Sequence, residues 1–155
     1  MNQEFLEIIK PIVKNEHFQK LKKINHHNST RFNHSLLVAY YNYKFGKKFE
    51  KKLNLNIRSL VLIGLCHDLF FYDKFKCPKG QIAHTFYHAE IALENAEKIF
   101  ELTDGEREAI LNHMFPLCKN FPRHKETWIL TMSDKYSTIM EILFNKNLEN
   151  TLVFC

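Results

Sequence analysis

The sequence predicts an all-α fold, a single-domain helical bundle of about six to seven helices. Three observations carry this prediction. Glycine and proline are scarce, four of each among 155 residues, and helices tolerate that shortage better than loop-rich β folds do. Apolar residues return at helical spacing along most of the chain. The one apolar run whose periodicity fits either a buried helix or a buried strand has no convincing second strand to pair with. The length suits one domain over residues 1–155, and 45% hydrophobic with 25% charged residues is ordinary for a globular protein. No internal repeat or low-complexity segment divides it.

Residues 3–14 place Phe5, Leu6, Ile8, Ile9, Ile12 and Val13 with helical spacing, and Pro11 predicts a kink or a break. Residues 15–25 read as a short second helix with Phe18, Leu21 and Ile24 turned inward. His26, His27 and Asn28 interrupt the pattern. A His-His pair can bind metal, but here it reads as part of a polar turn. Ser29 or Thr30 is the expected N-cap of a helix from Arg31 to about Lys48. On that helix His34 shares a face with Leu37, Val38 and Tyr41, and Arg31 lies one turn earlier. Taken alone, His34 would read as a core histidine bonded to a backbone carbonyl.

A Lys/Asn-rich connection over 47–56 leads to the apolar run Ile57 to Cys66, expected as a buried helix ending at His67-Asp68. Residues 69–83 read as a loop, first aromatic, then basic at Lys74, Lys76 and Lys79. Residues 84–101 read as a helix with the stripe Ala89, Ala92, Leu93, Ala96, Ile99 and Phe100. His84 and His88 share a face if it starts early enough. Thr103 and Glu106 match a capping box that opens a helix to about Met114, with His113 near its end and Pro116 stopping it. A histidine there also suits the negative end of the helix. After a loop over 117–123, a long helix is expected from about Lys125 to Phe144. Trp128, Ile129, Met132, Tyr136, Ile139, Met140 and Leu143 make its expected core stripe. Asp134 lies on the other side with Thr127, Leu130, Thr131, Ser137, Thr138 and Glu141, a face of small hydroxyls that suits a carboxylate looking into a polar cavity. Residues 145–155 turn apolar again at Leu152-Val-Phe, and pack back or fray.

The formal charge of +5 leans towards an anionic ligand: a nucleotide, a sugar phosphate or nucleic acid. A mildly basic surface without functional meaning accounts for it equally well. The lysines are spread rather than clustered and no recognition motif is present, which argues against nucleic acid. Cys66, Cys77, Cys118 and Cys155 form no CxxC pair and no secretory signal precedes them. Free thiols in a reducing cytosol are therefore expected, and with them a cytoplasmic location. No run approaches the roughly 18–20 apolar residues that span a bilayer, so no membrane partner is expected.

Chemically, the chain centres on His67-Asp68. Ionisable groups at the edge of a buried element need partners, and a divalent metal serves this pair well. His34, His84, His88, His113 and Asp134 offer further donors on core-facing or cavity-facing positions. The ordered set resembles the HD-domain superfamily of metal-dependent phosphohydrolases, whose signature is a histidine on an early helix, an adjacent His-Asp and a distant Asp on a late helix. The resemblance covers about residues 29–144. Four stretches look like small stand-alone bacterial members of unassigned substrate: His67-Asp-Leu-Phe-Phe-Tyr-Asp73, His84-Thr-Phe-Tyr-His88, His113-Met-Phe-Pro116 and Ser133-Asp-Lys-Tyr136.

The resemblance implies that His34, His67, Asp68 and Asp134 hold one metal, and that His88 and His113 serve a second with Asp68 bridging. His84 is an extra candidate, as ligand or proton donor. Many HD proteins continue after His-Asp with a small residue, Gly and Lys, whereas this chain has Leu69-Phe-Phe-Tyr-Asp73. Their phosphate-contacting lysine therefore has no counterpart, and Lys74, Lys76, Lys135 or Arg31 would replace it. Arg31 would neutralise a phosphate oxygen through its planar fork. Imidazole and carboxylate ligands suit Mn, Fe, Co, Ni or Zn without singling one out. A bound metal lowers the pKa of water from about 15.7 to about 7, providing a nucleophile at neutral pH. The expected function is hydrolysis of a phosphate ester of a nucleotide or other small metabolite, with one or two divalent transition-metal ions and with Asp68, His84 and Arg31 as catalytic residues. The alternatives are a di-iron oxygenase on the same ligand shell and a non-catalytic nucleotide-binding module. Exposed aromatics at 69–75 would serve a homodimer surface as readily as a base-stacking wall.

Overall fold

The computed structural model describes residues 2–26, 29–72, 80–118 and 120–144, with side chains described over the same ranges except 80–83 and 85. Seven α-helices and one two-stranded hairpin lie among them, and the all-α prediction holds. The helices are α1 (Gln3–Val13), α2 (Glu16–Lys20), α3 (Arg31–Leu53), α4 (Ile57–Cys66), α5 (Gly80–Glu97), α6 (Asp104–Asn112) and α7 (Lys125–Phe144). The hairpin pairs β1 (Asn25–His26) antiparallel with β2 (Ser29–Thr30). No helix among the described residues is long and apolar enough to cross a membrane.

The long α3 is the spine, packed against α4 on one side and α7 on another, while α6 joins α7 to α5. Thr30 opens it, its hydroxyl accepting the Asn33 N–H at 3.1 Å. It runs one and a half turns past the expected end, through the polar stretch read as a connection. It stops at Asn54, which adopts the left-handed conformation with φ 47°. Lys and Glu favour helix when solvated, so polarity alone did not mark a boundary. Asn56 caps α4 two residues on, accepting from Ser59 N–H.

α4 lies close against α3 because Gly64 has no side chain. A Cβ there would sit 2.7 Å from the Ala39 Cα. Asn42 spans the same contact, donating to the Leu60 carbonyl at 2.8 Å. The core that locks this pair includes Leu36, Val38, Leu60, Ile63 and Leu65, with Phe5 and Ile9 of α1 and Phe18 and Leu21 closing one end. Pro11 sits inside the last turn of α1, which ends two residues later. α5 begins at Gly80, early enough for His84 and His88 to share a face, and ends at Glu97. Ile99 and Phe100 follow it and pack on the core from outside the helix. The Thr103–Glu106 capping box forms as expected.

Two further expectations are overturned. The first concerns α7, whose expected core stripe faces outward. Met132 is 62% and Leu143 69% exposed, and Trp128, Tyr136 and Ile139 are also exposed; Ile129 and Met140 are half-buried. The buried face is the hydroxyl one, with Thr127, Leu130, Thr131, Ser133, Ser137 and Glu141 inward. Small side chains let the helix approach α3 and α6, and the groups it must meet there are polar. The second is the polar turn at His26: β1 alternates outward and inward, and the inward residue is His26, 8% exposed. Lys74, Lys76, Lys79, Cys77, Cys155, His27 and the 145–155 segment lie outside the described residues.

Candidate metal centre

Five helices bring their polar residues to one point. His34 stands in the first turn of α3, His67 and Asp68 at the end of α4, His88 in α5, His113 at the end of α6, and Asp134 and Glu141 on α7. His34, His67, His88, His113 and Asp68 are all buried. Such a concentration of ionisable groups away from water is unfavourable unless each is compensated.

The hydrogen bonds fix how the histidines are compensated. His67 Nδ1 donates to the Gly64 carbonyl at 2.9 Å, His113 Nδ1 to the Ile110 carbonyl at 2.7 Å, and His88 Nδ1 to the His84 carbonyl at 2.9 Å. A carbonyl only accepts, so each Nδ1 carries a hydrogen and Nε2 is the ring atom left to face the site. Those Nε2 atoms converge. His88 Nε2 and His113 Nε2 are 3.1 Å apart, and His67 Nε2 is buried with no hydrogen-bond partner among the described residues. Burial, and after it the neighbouring His67 and His88 rings, pushes the His113 pKa down to about 3, so its ring is the neutral, ligating form. Backbone-anchored imidazoles with inward Nε2 atoms are the usual support of a metal ligand set.

The carboxylates lie among these nitrogens. Asp68 Oδ1 is 3.6 Å from His88 Nε2 and 3.8 Å from His113 Nε2, and Asp134 Oδ1 is 3.7 Å from His67 Nε2. Burial raises the Asp68 pKa, but the rings of His67, His88, His113 and His26 outweigh it and keep the carboxyl well below its usual range. Asp134 is held low in the same way, burial being overcome by His34 and His67. His34 stands between two carboxylates, its Nδ1 donating to Glu141 Oε2 at 2.7 Å and its Nε2 to Asp134 Oδ1 at 3.1 Å. Burial works against its charge, but these two bonds prevail and raise its pKa to about 10. Three overlapping triads offer ligand atoms within 4.8 Å of one another: His34–His67–Asp134, His67–Asp68–His113 and His26–His34–Asp68. These mixed imidazole and carboxylate groups could hold a metal ion.

His34, Asp68, His88, His113 and Asp134 line a pocket of about 480 Å³, which His67 and Glu141 do not line. Arg31, Phe70, His84, Phe115, Leu117, Lys135 and Ile139 are among its walls. Arg31 is fully buried, its guanidinium 3.5 Å from the Phe70 ring centre, and Nη1 donates to the Phe70 and Tyr72 carbonyls at 2.8 and 3.2 Å. It thereby holds the chain leaving Asp68, a structural duty beside the phosphate contact expected of it. His84 Nδ1 shares a hydrogen bond of 3.1 Å with the Tyr72 hydroxyl and belongs to none of the three triads. Lys135 Nζ donates to the Phe115 carbonyl at 2.9 Å.

All six sequence-predicted metal ligands thus meet. Two participants were not named from sequence. Glu141 lies seven residues after Asp134, on the same helix face, a spacing that would have revealed it. His26 offered only its pairing with His27, read as part of a polar turn, because a two-residue strand has no readable period. Comparison with family models, with curated proteins and with solved structures returns no match for this chain.

Proposed function

We propose that this chain is a metal-dependent phosphohydrolase of the HD-domain kind, cleaving a phosphate ester of a nucleotide or other small phosphorylated metabolite. What carries the reading is the convergence of the His67, His88 and His113 Nε2 atoms on Asp68 and Asp134, with Asp68, His88, His113 and Asp134 lining an open pocket. Once His34 gives up the Nε2 hydrogen it shares with Asp134, His34, His67, Asp68 and Asp134 would hold one divalent ion, and Asp68, His88 and His113 a second. An ion bound there supplies Lewis acidity, lowering the pKa of water to about 7 and drawing charge from a phosphoryl oxygen.

The chain's own groups do the rest. The ionised Asp68, set between the two groups of imidazoles, balances positive charge in the site. The Lys135 ammonium, at the pocket wall, attracts a phosphate and neutralises part of its charge. His84 would protonate a leaving oxygen, with Tyr72 orienting its ring through Nδ1. The buried position of Arg31 assigns it chiefly to shaping the wall. The test is metal content per chain by elemental analysis, followed by a phosphatase and nucleotidase screen with the metal found. Wild type should hold one or two ions, His67→Ala should lose metal, and His113→Ala should lose the second ion where two are held. Wild type that takes up no metal after reconstitution refutes the hydrolase.

A further inference from the structure

We infer that His26, on the β1–β2 hairpin, is an additional ligand of the metal centre, acting on the His34 side of Asp68. The inference rests on the metal-site reading above. The hairpin sets the position: Asn25 pairs with Thr30 and His26 with Ser29, and Thr30 also caps α3. The Arg31 N–H donates to the Ile24 carbonyl at 2.9 Å, tying the hairpin to the start of the helix that carries His34. The imidazole is therefore fixed by backbone pairing on two sides.

Its surroundings are ligands and their supports. The His26 ring packs on the His34 ring, 4.1 Å between centres, and lines the pocket. Nε2 is 3.9 Å from Asp68 Oδ2, and Nδ1 is 3.8 Å from Glu141 Oε2. Asp68 is thus divided, with Oδ1 towards His88 and His113 and Oδ2 towards His26. A separation near 3.9 Å is long for a hydrogen bond. It lies within what two metal–ligand bonds of about 2.0–2.2 Å can span. Together with His34, His26 and Asp68 offer three ligand atoms within 4.8 Å, a mixed imidazole–carboxylate set of the kind a divalent transition metal takes.

The experiment titrates metal-free wild type, His26→Ala and His26→Gln with Mn(II) and Co(II), following bound metal per chain, competition with a chelator and the visible spectrum of Co(II). Melting of the metal-free proteins reports the fold; if the alanine variant falls short there, the glutamine variant is compared instead. The expected result is a loss of affinity of at least about tenfold for one ion, with an altered Co(II) spectrum and a metal-free melt close to wild type. Titration curves and spectra identical to wild type overturn His26 as a ligand and leave the metal site standing. No metal on wild type itself overturns both, so the two failures are told apart by the wild-type arm alone.

Discussion

Glu108 shows what one carboxylate can hold in place. On α6, it accepts the backbone N–H of Arg123 at 2.7 Å and of His124 at 3.1 Å, and the Thr127 hydroxyl at 3.2 Å. It thereby joins α6 to the first turn of α7 across the loop whose residues wall the pocket. Its partial burial pushes its pKa up, but the Arg123 and His124 amides prevail and hold it below its ordinary value. A depressed folded-state pKa gives stability that is complete above the unfolded value of about 4.3 and is lost as pH falls through the folded value. Glu108→Gln should therefore lower Tm at neutral pH by about 2–4 °C, the shift that about 1 kcal/mol produces in a chain of this size. The gap to wild type should close between about pH 5 and about pH 3. Thermal melts across that range decide it, and a gap independent of pH would show that the charge of Glu108 is not what matters. At this scale the sequence was most legible where residues stand on long helices. His34, His88 and Asp134 each repeat with a helical face, whereas the inward turn of His26 depends on a hairpin register that two residues cannot encode.

Among the elements, α7 is where periodicity misled. Both of its faces have an orderly pattern, one large and apolar, the other small and polar, and hydrophobicity alone favours the first as core. Close approach to α3 and the need for Asp134 and Glu141 to reach His34 reverse the choice. The reversed helix is not left wholly bare: Tyr136 meets Tyr41 edge-on at 4.7 Å, and Trp128 meets Phe115 at 5.2 Å. The orientation has a direct energetic consequence. Leu130→Ala removes a fully buried side chain and should cost about 2–5 kcal/mol. Met132→Ala, two positions on and largely exposed, should stay within about 0.5 kcal/mol of wild type. Urea denaturation of the two variants measures both, and equal destabilisation, or the reverse order, would mean that α7 presents its apolar stripe to the core after all. The boundaries of α4, α6 and α7 fall within a residue or two of those expected, Thr103 and Pro116 marking α6 chemically, whereas α3 runs on to Leu53 and α5 spans Gly80–Glu97.

At the scale of the whole molecule, the candidate ligands link elements far apart in sequence: His34 is one hundred residues from the Asp134 it touches. Packing between α3 and α4 accounts for the apolar half of the fold, but the polar half gathers three buried or nearly buried carboxylates, Asp68, Asp134 and Glu141, among buried imidazoles. His88 Nε2 and His113 Nε2 face one another at 3.1 Å, a pair of nitrogens that an ion would bridge. An ion held by residues from five helices binds the folded chain and not the unfolded one, so occupancy and stability are linked. At free metal one hundred times Kd, the gain is about 2.7 kcal/mol. For a chain of this length that amounts to about 5–10 °C in Tm. Removing metal by chelation and dialysis should lower Tm by this much, and restoring it should raise Tm steadily with the logarithm of free metal. Asp134→Ala, which removes a candidate ligand lying between His34 and His67, should bring the metal-dependent part of the shift close to zero. If chelation strips measured metal from the protein and the melt does not move, the ion was never held between the helices, and the buried histidines must be balanced in some other way.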